Sequence, residues 1–346
     1  MGNFQRLNKP EFRALLDKTL FKTFFHSLIW HEFLEKEFKW LKFEYYLYRD
    51  EAILPLARFK VFGKEKLVSL PFCEYGGPLP LEGSIFINDF ETDALKEFKN
   101  FKIKYHPSIS KITFNPINSS STVSSHWLRL GNKSEQEVWE SLRKTLRHEI
   151  KNAQQKGLEI RASKDPKCFK KFYDLYTANL RRKRTIPYPW HLVQFLCQNA
   201  PSELLLAFYR GKIVGGALFL EYSKISHYFL SAIDHKYRNL GIAHLILWEK
   251  IKSLIGKDIT LDLGASPQGS DLEIFKRGWG GIEYPIYQIC LPADRQGIKR
   301  TPAFAEASAG REESFLRSSK IIRFIWGLLP NYIIQKLSPY LIKYRI

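Results

Sequence analysis

The spacing of apolar positions along the chain changes period several times, and each change predicts an element. Phe25, Leu28, Ile29, Phe33 and Phe38 recur at helical spacing and predict one helix over residues 24–37. FEYYLYR and AILPLARFKV, on either side of Asp50-Glu51, and KLVSLPF, after Gly63-Lys64, read as strands. EYGGPLPLEG interrupts regular structure with glycines and prolines. FETDALKEFKNF predicts a helix and SKITFNPI a strand, so residues 1–120 read as a mixed α/β lobe.

The polar run NSSSTVSS reads as a linker ending at Ser125, with the strand HWLRL after it. Ser134-Glu-Gln-Glu has the form of a capping box. Behind it, Trp139, Leu142, Leu146, Ile150 and Ala153 form one apolar stripe, so a single helix is predicted. Arg143, Lys144, Arg147, His148 and Lys151 lie opposite, where a solvated basic face is the ordinary reading. A helix over DPKCFKKFYDLYTANLRRKR ends in the cluster Arg181 to Arg184, and TIPYPWHLVQFL reads as a loop folded over a cleft. SELLLAFYRGK, IVGGALFLEYSK and ISHYFLSAID predict three antiparallel strands, followed by turn, helix, strand, helix and the strand YPIYQICL. These elements define a second lobe over residues 121–291. Residues 292–314 are rich in small and polar residues and predict a disordered inserted loop. Within it, TPAFAEASAGR resembles a translated repeat element inserted in unrelated bacterial proteins. Residues 315–346 read as a basic amphipathic helical tail, with two fates: packing on the second lobe, or peripheral contact with an anionic membrane.

Composition adds one strong bias. Lys and Arg number 54 against 35 Asp and Glu, a net charge of +19. Such an excess suits an anionic partner: a phosphorylated donor, nucleic acid such as tRNA, or an acidic membrane surface. Cys73, Cys168, Cys197 and Cys290 show no metal-ligand spacing, and no metal is expected. The N-terminus lacks an uninterrupted apolar run, and Arg6 breaks the myristoylation pattern. No stretch is long and apolar enough to span a bilayer, so the expected location is the cytoplasm, with the inner face of the membrane as a peripheral site.

The densest candidate chemistry lies in residues 234–281. Arg238, Asn239, Leu240, Gly241, Ile242 and Ala243 form a turn between a strand and a helix. Such a turn offers backbone N–H groups and a positive dipole end to a phosphate. Lys276 can balance charge that develops as an acyl group moves. Asp262, on a short strand, either faces the cleft or caps the next helix, and Phe275 reads as core. His227, mid-strand beside Ile225 and Phe229, reads as a buried structural histidine. Gly-x-Ser-x-Gly, His-Glu-x-x-His and Walker A patterns are missing, as are RNA-binding signatures.

These motifs carry a resemblance. Arg238 to Ala243 resembles the pyrophosphate turn of GNAT acyltransferases. LDLGAS followed by FKRGWGG resembles the closing segment of FemAB-type transferases, which are two GNAT-like lobes in one chain. TLRHEIKNAQQKGLEI, TFFHSLIWHEF and SLPFCEYGGPL agree with that family in order and spacing, across roughly residues 20–290. The resemblance implies an α/β (α+β) fold of two GNAT-like lobes, each a mixed, mostly antiparallel sheet flanked by helices. It implies that Arg147, Phe275 and Asp262 contact substrate, that Lys276 sits at the reacting end, and that Asp234 or His235 relays a proton from the attacking amine. Tyr287, or Tyr284, would protonate a thiolate leaving group. The expected reaction moves an acyl group from acyl-CoA to an amine of a cell-envelope or small-molecule acceptor, with no covalent enzyme intermediate. The alternative is FemAB-type transfer from aminoacyl-tRNA to a peptidoglycan precursor. A rival of another class is a non-catalytic basic module that binds tRNA or membrane.

Overall fold

The structure, a computed structural model, describes residues 3–19, 22–81, 89–107, 121, 123–290 and 326–344. The predicted strand over 110–117, most of the linker before Val123 and the inserted loop lie outside these residues. Two mixed sheets organise the rest. The first contains β1 (Phe4–Leu7), β2 (Leu41–Tyr48), β3 (Ala52–Val61), β4 (Lys64–Val68), β5 (Leu79–Pro80) and β6 (Phe101–Lys104). The second contains β7 (Val123–Arg129), β8 (Leu158–Ala162), β9 (Ser202–Tyr209), β10 (Lys212–Tyr222), β11 (Ile225–Ile233), β12 (Thr260–Pro267) and β13 (Ile282–Pro285). A last strand, β14 (Gln288–Cys290), returns to the first sheet beside β6. The orders are β1-β2-β3-β4-β6-β14, with β5 on β3, and β13-β7-β12-β11-β10-β9-β8. Pairing is antiparallel except for β4 with β6 and β11 with β12.

Helices α1 (Lys9–Asp17), α2 (Leu28–Glu37) and α3 (Phe90–Glu97) flank the first sheet. The second is flanked by α4 (Glu135–Ser141), α5 (Lys144–Gln155), α6 (Pro166–Arg182), α7 (Trp190–Asn199), α8 (Ile242–Leu254) and α9 (Asp271–Arg277), with α10 (Asn331–Leu341) near the end of the chain. Strand alternation decides which core each residue joins. On β9 and β10, Leu204, Leu206, Leu218 and Leu220 face α6, α7 and the first lobe, while Leu205, Ala207, Ala217 and Phe219 face α5 and α8. The first of these cores runs without a break into Phe12, Trp30, Leu34 and Leu79, so the lobes share one apolar interior.

Several predicted elements need correction. The first helix is interrupted: a 3-10 turn, Phe24–His26, precedes α2, because Ser27 is extended and its hydroxyl caps the Trp30 N–H. The single stripe over residues 134–153 is two helices. Ser141 Oγ donates back to the Val138 carbonyl at 2.7 Å, and Leu142 and Arg143 are extended, which turns Leu142 into the core. The cleft loop at residues 185–196 is largely α7, which starts at Trp190 just after Pro189. The helix predicted from FETDALKEFKNF stops at Glu97, and Phe101 begins β6. Val123 to Ser125 belong to β7 rather than to the linker. The predicted strand YPIYQICL divides: β13 pairs with β7 in the second sheet and β14 with β6 in the first, so the boundary at residue 291 falls after the chain has crossed back. The described part of the tail packs on α6, with Trp326, Ile334 and Ile342 buried in the shared core. No helix of the described residues is long and apolar enough to cross a membrane.

Candidate active site

β11 and β12 pair only at Ile225↔Thr260, Ser226↔Leu261 and His227↔Asp262, and then separate. β12 also carries an irregularity between Asp262 and Ala265, where Gly264 takes φ +76°. This bulge turns backbone groups out of the ladder toward side chains. The Ala265 N–H donates to Glu74 Oε2 at 2.7 Å, and Lys276 Nζ donates to the Gly264 and Ala265 carbonyls, both at 2.8 Å. The Gly264 N–H donates to Asp262 Oδ1 at 2.8 Å.

A buried polar cluster forms at this point from both lobes. The loop after β4 brings in Glu74 and Tyr75, and His26 Nε2 holds that loop at the Gly76 carbonyl, 2.7 Å away. Asp262 is fully buried and accepts hydrogen bonds from the Tyr75 and Ser125 hydroxyls. With the Gly264 N–H this gives a buried carboxylate three donors. His227 Nε2 lies 3.2 Å from Glu74 Oε2 and Nδ1 lies 3.9 Å from Asp262 Oδ2. These are ion-pair distances, without the alignment of formed hydrogen bonds. Glu74 is the member that reaches the surface, its side chain 31% exposed.

Electrostatics follow from this arrangement. Burial alone would lower the His227 pKa, but the Asp262 and Glu74 carboxylates overcome it and hold His227 above 6.5. Burial would raise Glu74, yet His227, Lys276 and the Ala265 N–H keep it below 4.5. Lys276 is shifted below 10.5 by burial, against the pull of Glu74 and Asp262. Tyr75 is pushed well up by burial and by Asp262.

The residues singled out from sequence divide between two places. Asp262 and Lys276 belong to the cluster; Asp262 faces it and does not cap the next helix. Asp234 instead caps a 3-10 turn, His235–Leu240, accepting from the Lys236 N–H at 3.0 Å. His235 is exposed against Arg238, whose Nη1 is 2.9 Å from its ring. Among the described residues, no hydrogen bond or ion pair joins Asp234 or His235 to the cluster. Gly241, φ +74°, opens α8, and no side chain caps the helix start formed by Ile242 and Ala243. Asn239 and Leu240 lie in the preceding turn, where Lys156 Nζ donates to the Asn239 carbonyl at 3.2 Å.

One feature of α5 opposes a phosphate at this helix start. A Cβ on Gly241 would stand 3.1 Å from the Glu149 carbonyl and 3.8 Å from its carboxylate. Arg147 is half-buried on α5, and no hydrogen bond or ion pair joins it to the cluster among the described residues. Phe275 packs edge-on to His244 at 5.2 Å, within the α8 core. Tyr287 packs against the first lobe's core with Ile103 and Ile289, because the chain has already crossed between sheets. Glu74, Tyr75, Ser125, His26 and His227 were not singled out as site residues. The only sequence signal was the Gly-Gly-Pro loop that carries Glu74 and Tyr75.

Comparison with known proteins agrees with this fold. Residues 140–277 match the family model for an acetyltransferase (GNAT) domain. No curated protein matches the chain. FemX superposes with a TM-score of 0.58 at 13% identity, over 83% of this chain and 97% of that one. The C-terminal domain of an Agrobacterium fabrum protein described as a lysylphosphatidylglycerol synthetase gives 0.54 at 11% identity, over 88% and 95%. L-PGS from Bacillus licheniformis gives 0.52 at 11% identity, over 89% and 97%. Residues 140–277 thus match the acetyltransferase (GNAT) domain model, and the chain as a whole shares its two-lobe fold with FemX.

Proposed function

We propose that the protein is an N-acyltransferase whose acceptor amine enters at Glu74. The observation that carries this reading is the polar cluster of Glu74, His227, Asp262 and Lys276, drawn from both lobes and set where β11 and β12 part. The Glu74 carboxylate attracts the acceptor as an ammonium. The amine loses a proton to the Glu74–His227 pair and its lone pair attacks the acyl carbon. As the donor's thiolate or ribose oxygen leaves, it takes up the second proton of the attacking nitrogen through the same pair, and the first proton passes to solvent. Lys276 positions the Gly264–Ala265 turn and offsets the negative charge of the two carboxylates. Acceptors of this type are amines of the cell envelope or small molecules.

The first donor reading is acyl-CoA, with its pyrophosphate at the start of α8 and its arm along the part of β11 that β12 leaves unpaired. Glu149 at that helix start favours the second reading, an aminoacyl-tRNA donor in a FemAB-type reaction that extends a peptidoglycan precursor. Titration of acetyl-CoA, a long acyl-CoA and charged tRNA into the full chain separates them. Under the first reading acyl-CoA binds, Gly241→Val abolishes binding, and Arg238→Ala weakens it by about 1.5–3 kcal/mol, the scale of a hydrogen bond to a charged group. Under the second, only charged tRNA binds, with an affinity that falls as salt rises. Binding of neither donor would sink the acyltransferase reading.

A further inference from the structure

We propose that His126, Glu273 and Glu283 bind one divalent transition-metal ion, with zinc as the representative case. The site does not depend on the acyl-transfer reading. His126 lies on β7 and pairs directly with Glu283 on β13, so both side chains project from the same face of the sheet. Glu273, on α9, packs over that face. The three ligand atoms lie within 4.8 Å of one another.

Two observations separate this group from an ordinary surface acidic cluster. His126 is fully buried, yet neither ring nitrogen has a hydrogen-bond partner among the described residues. Glu273 is also buried, and its Oε1 has no hydrogen-bond partner. Buried polar atoms left in this state carry a desolvation cost that a ligand would remove. The spacing suits a metal better than a hydrogen bond. His126 Nε2 and Glu273 Oε1 are 3.6 Å apart, beyond hydrogen-bond reach. Two ligands bound at about 2.1 Å to one tetrahedral ion stand ~3.4 Å apart.

One imidazole and two carboxylates suit zinc or a similar ion, whereas calcium and magnesium favour all-oxygen shells. Glu283 is exposed, so the fourth position would open to solvent. Arg277 Nη1, also 3.6 Å from Glu273 Oε1, is exposed and free to swing away as the ion enters. Because Lys276 follows Glu273 by three residues on α9, a bound ion would tie the Lys276-bearing helix to β7 and β13.

Isothermal titration of ZnCl2 into chelator-stripped full-length protein tests the proposal, with thermal melts alongside. One zinc per chain is expected, with a raised melting temperature and no comparable effect of Mg2+. Glu283→Gln, at an exposed position that leaves folding intact, should weaken zinc by at least about tenfold, ~1.4 kcal/mol. His126→Gln should remove this binding event. Absence of zinc binding by the wild type, or binding unchanged in Glu283→Gln, would overturn the assignment.

Discussion

Gly264 shows how much of the candidate site rests on single residues. Its φ of +76° suits glycine, and an added Cβ would stand 2.9 Å from Glu74 Oε2. Gly264→Ala should therefore cost about 1–3 kcal/mol in backbone strain and displace Glu74, lowering turnover more than stability. Glu74→Gln keeps an acceptor for the Ala265 N–H but removes the charge. It should cut turnover by about 10²-fold or more, with a modest fall in melting temperature from the lost pairing to His227 and Lys276; unchanged turnover would exclude Glu74 from the chemistry. The pH dependence follows from His227, which must be neutral to accept a proton. Because the carboxylates hold its pKa above 6.5, the rate should rise with pH through that value to a plateau. Removing the Glu74 charge should move the inflection to lower pH. A rate that falls across this range would contradict the relay.

At the scale of elements, α8 does two jobs. Its start shapes the Gly241 turn, and its middle turns Lys250 inward to Glu203 at 2.7 Å and Glu221 at 2.6 Å. Lys250 is buried, but both glutamates are about one-third exposed, so solvent screens part of the pairing. Lys250→Ala removes the charge, with its cation–π contact 5.1 Å from the Phe219 ring centroid, and also the buried stem. It should cost about 1–3 kcal/mol, discounted from the cost of breaking a fully buried pair. Lys250→Met keeps an unbranched apolar stem and should cost less. Denaturant midpoints of the two variants check the order; equal losses would show that the charge alone matters.

For the whole molecule, several buried histidines lie where acid acts on folding, His26, His31, His106 and His126 all lowered by burial. Burial lowers His26 to about 4 and His31 to about 3, against hydrogen bonds to Gly76 and Phe25. Both are near 6.5 when unfolded. The unfolded chain therefore binds more protons below 6.5, and stability should fall as pH drops from there through about 4 and 3. Each histidine can contribute roughly 3 kcal/mol or more at full development. His227, raised rather than lowered, opposes this trend, since its contribution is present below 6.5 and lost above its folded pKa. Glu44 and Glu74, held below 4.5, lose their stabilisation at the acid end and add to the fall. Melting temperatures across this range test the balance; a flat profile would show that the histidines do not govern it.

The sequence by itself determined the strand meander from β9 to β11 and the turn into α8, because these depend on local periodicity and turn chemistry; the two-lobe plan came from the family resemblance. It also picked out Asp262 and Lys276 through a short motif. Only the tertiary structure decided where the helices at Ser27 and Leu142 break, since extended backbone there is rewarded by core contacts that no local pattern contains. It alone sent β14 back to the first sheet and Tyr287 with it, because strand pairing across lobes leaves no periodic trace. It also joined Glu74 to His227 across more than a hundred and fifty residues, and His126 to Glu273 and Glu283. A buried charge or an orphaned nitrogen becomes visible only when the groups around it are in place.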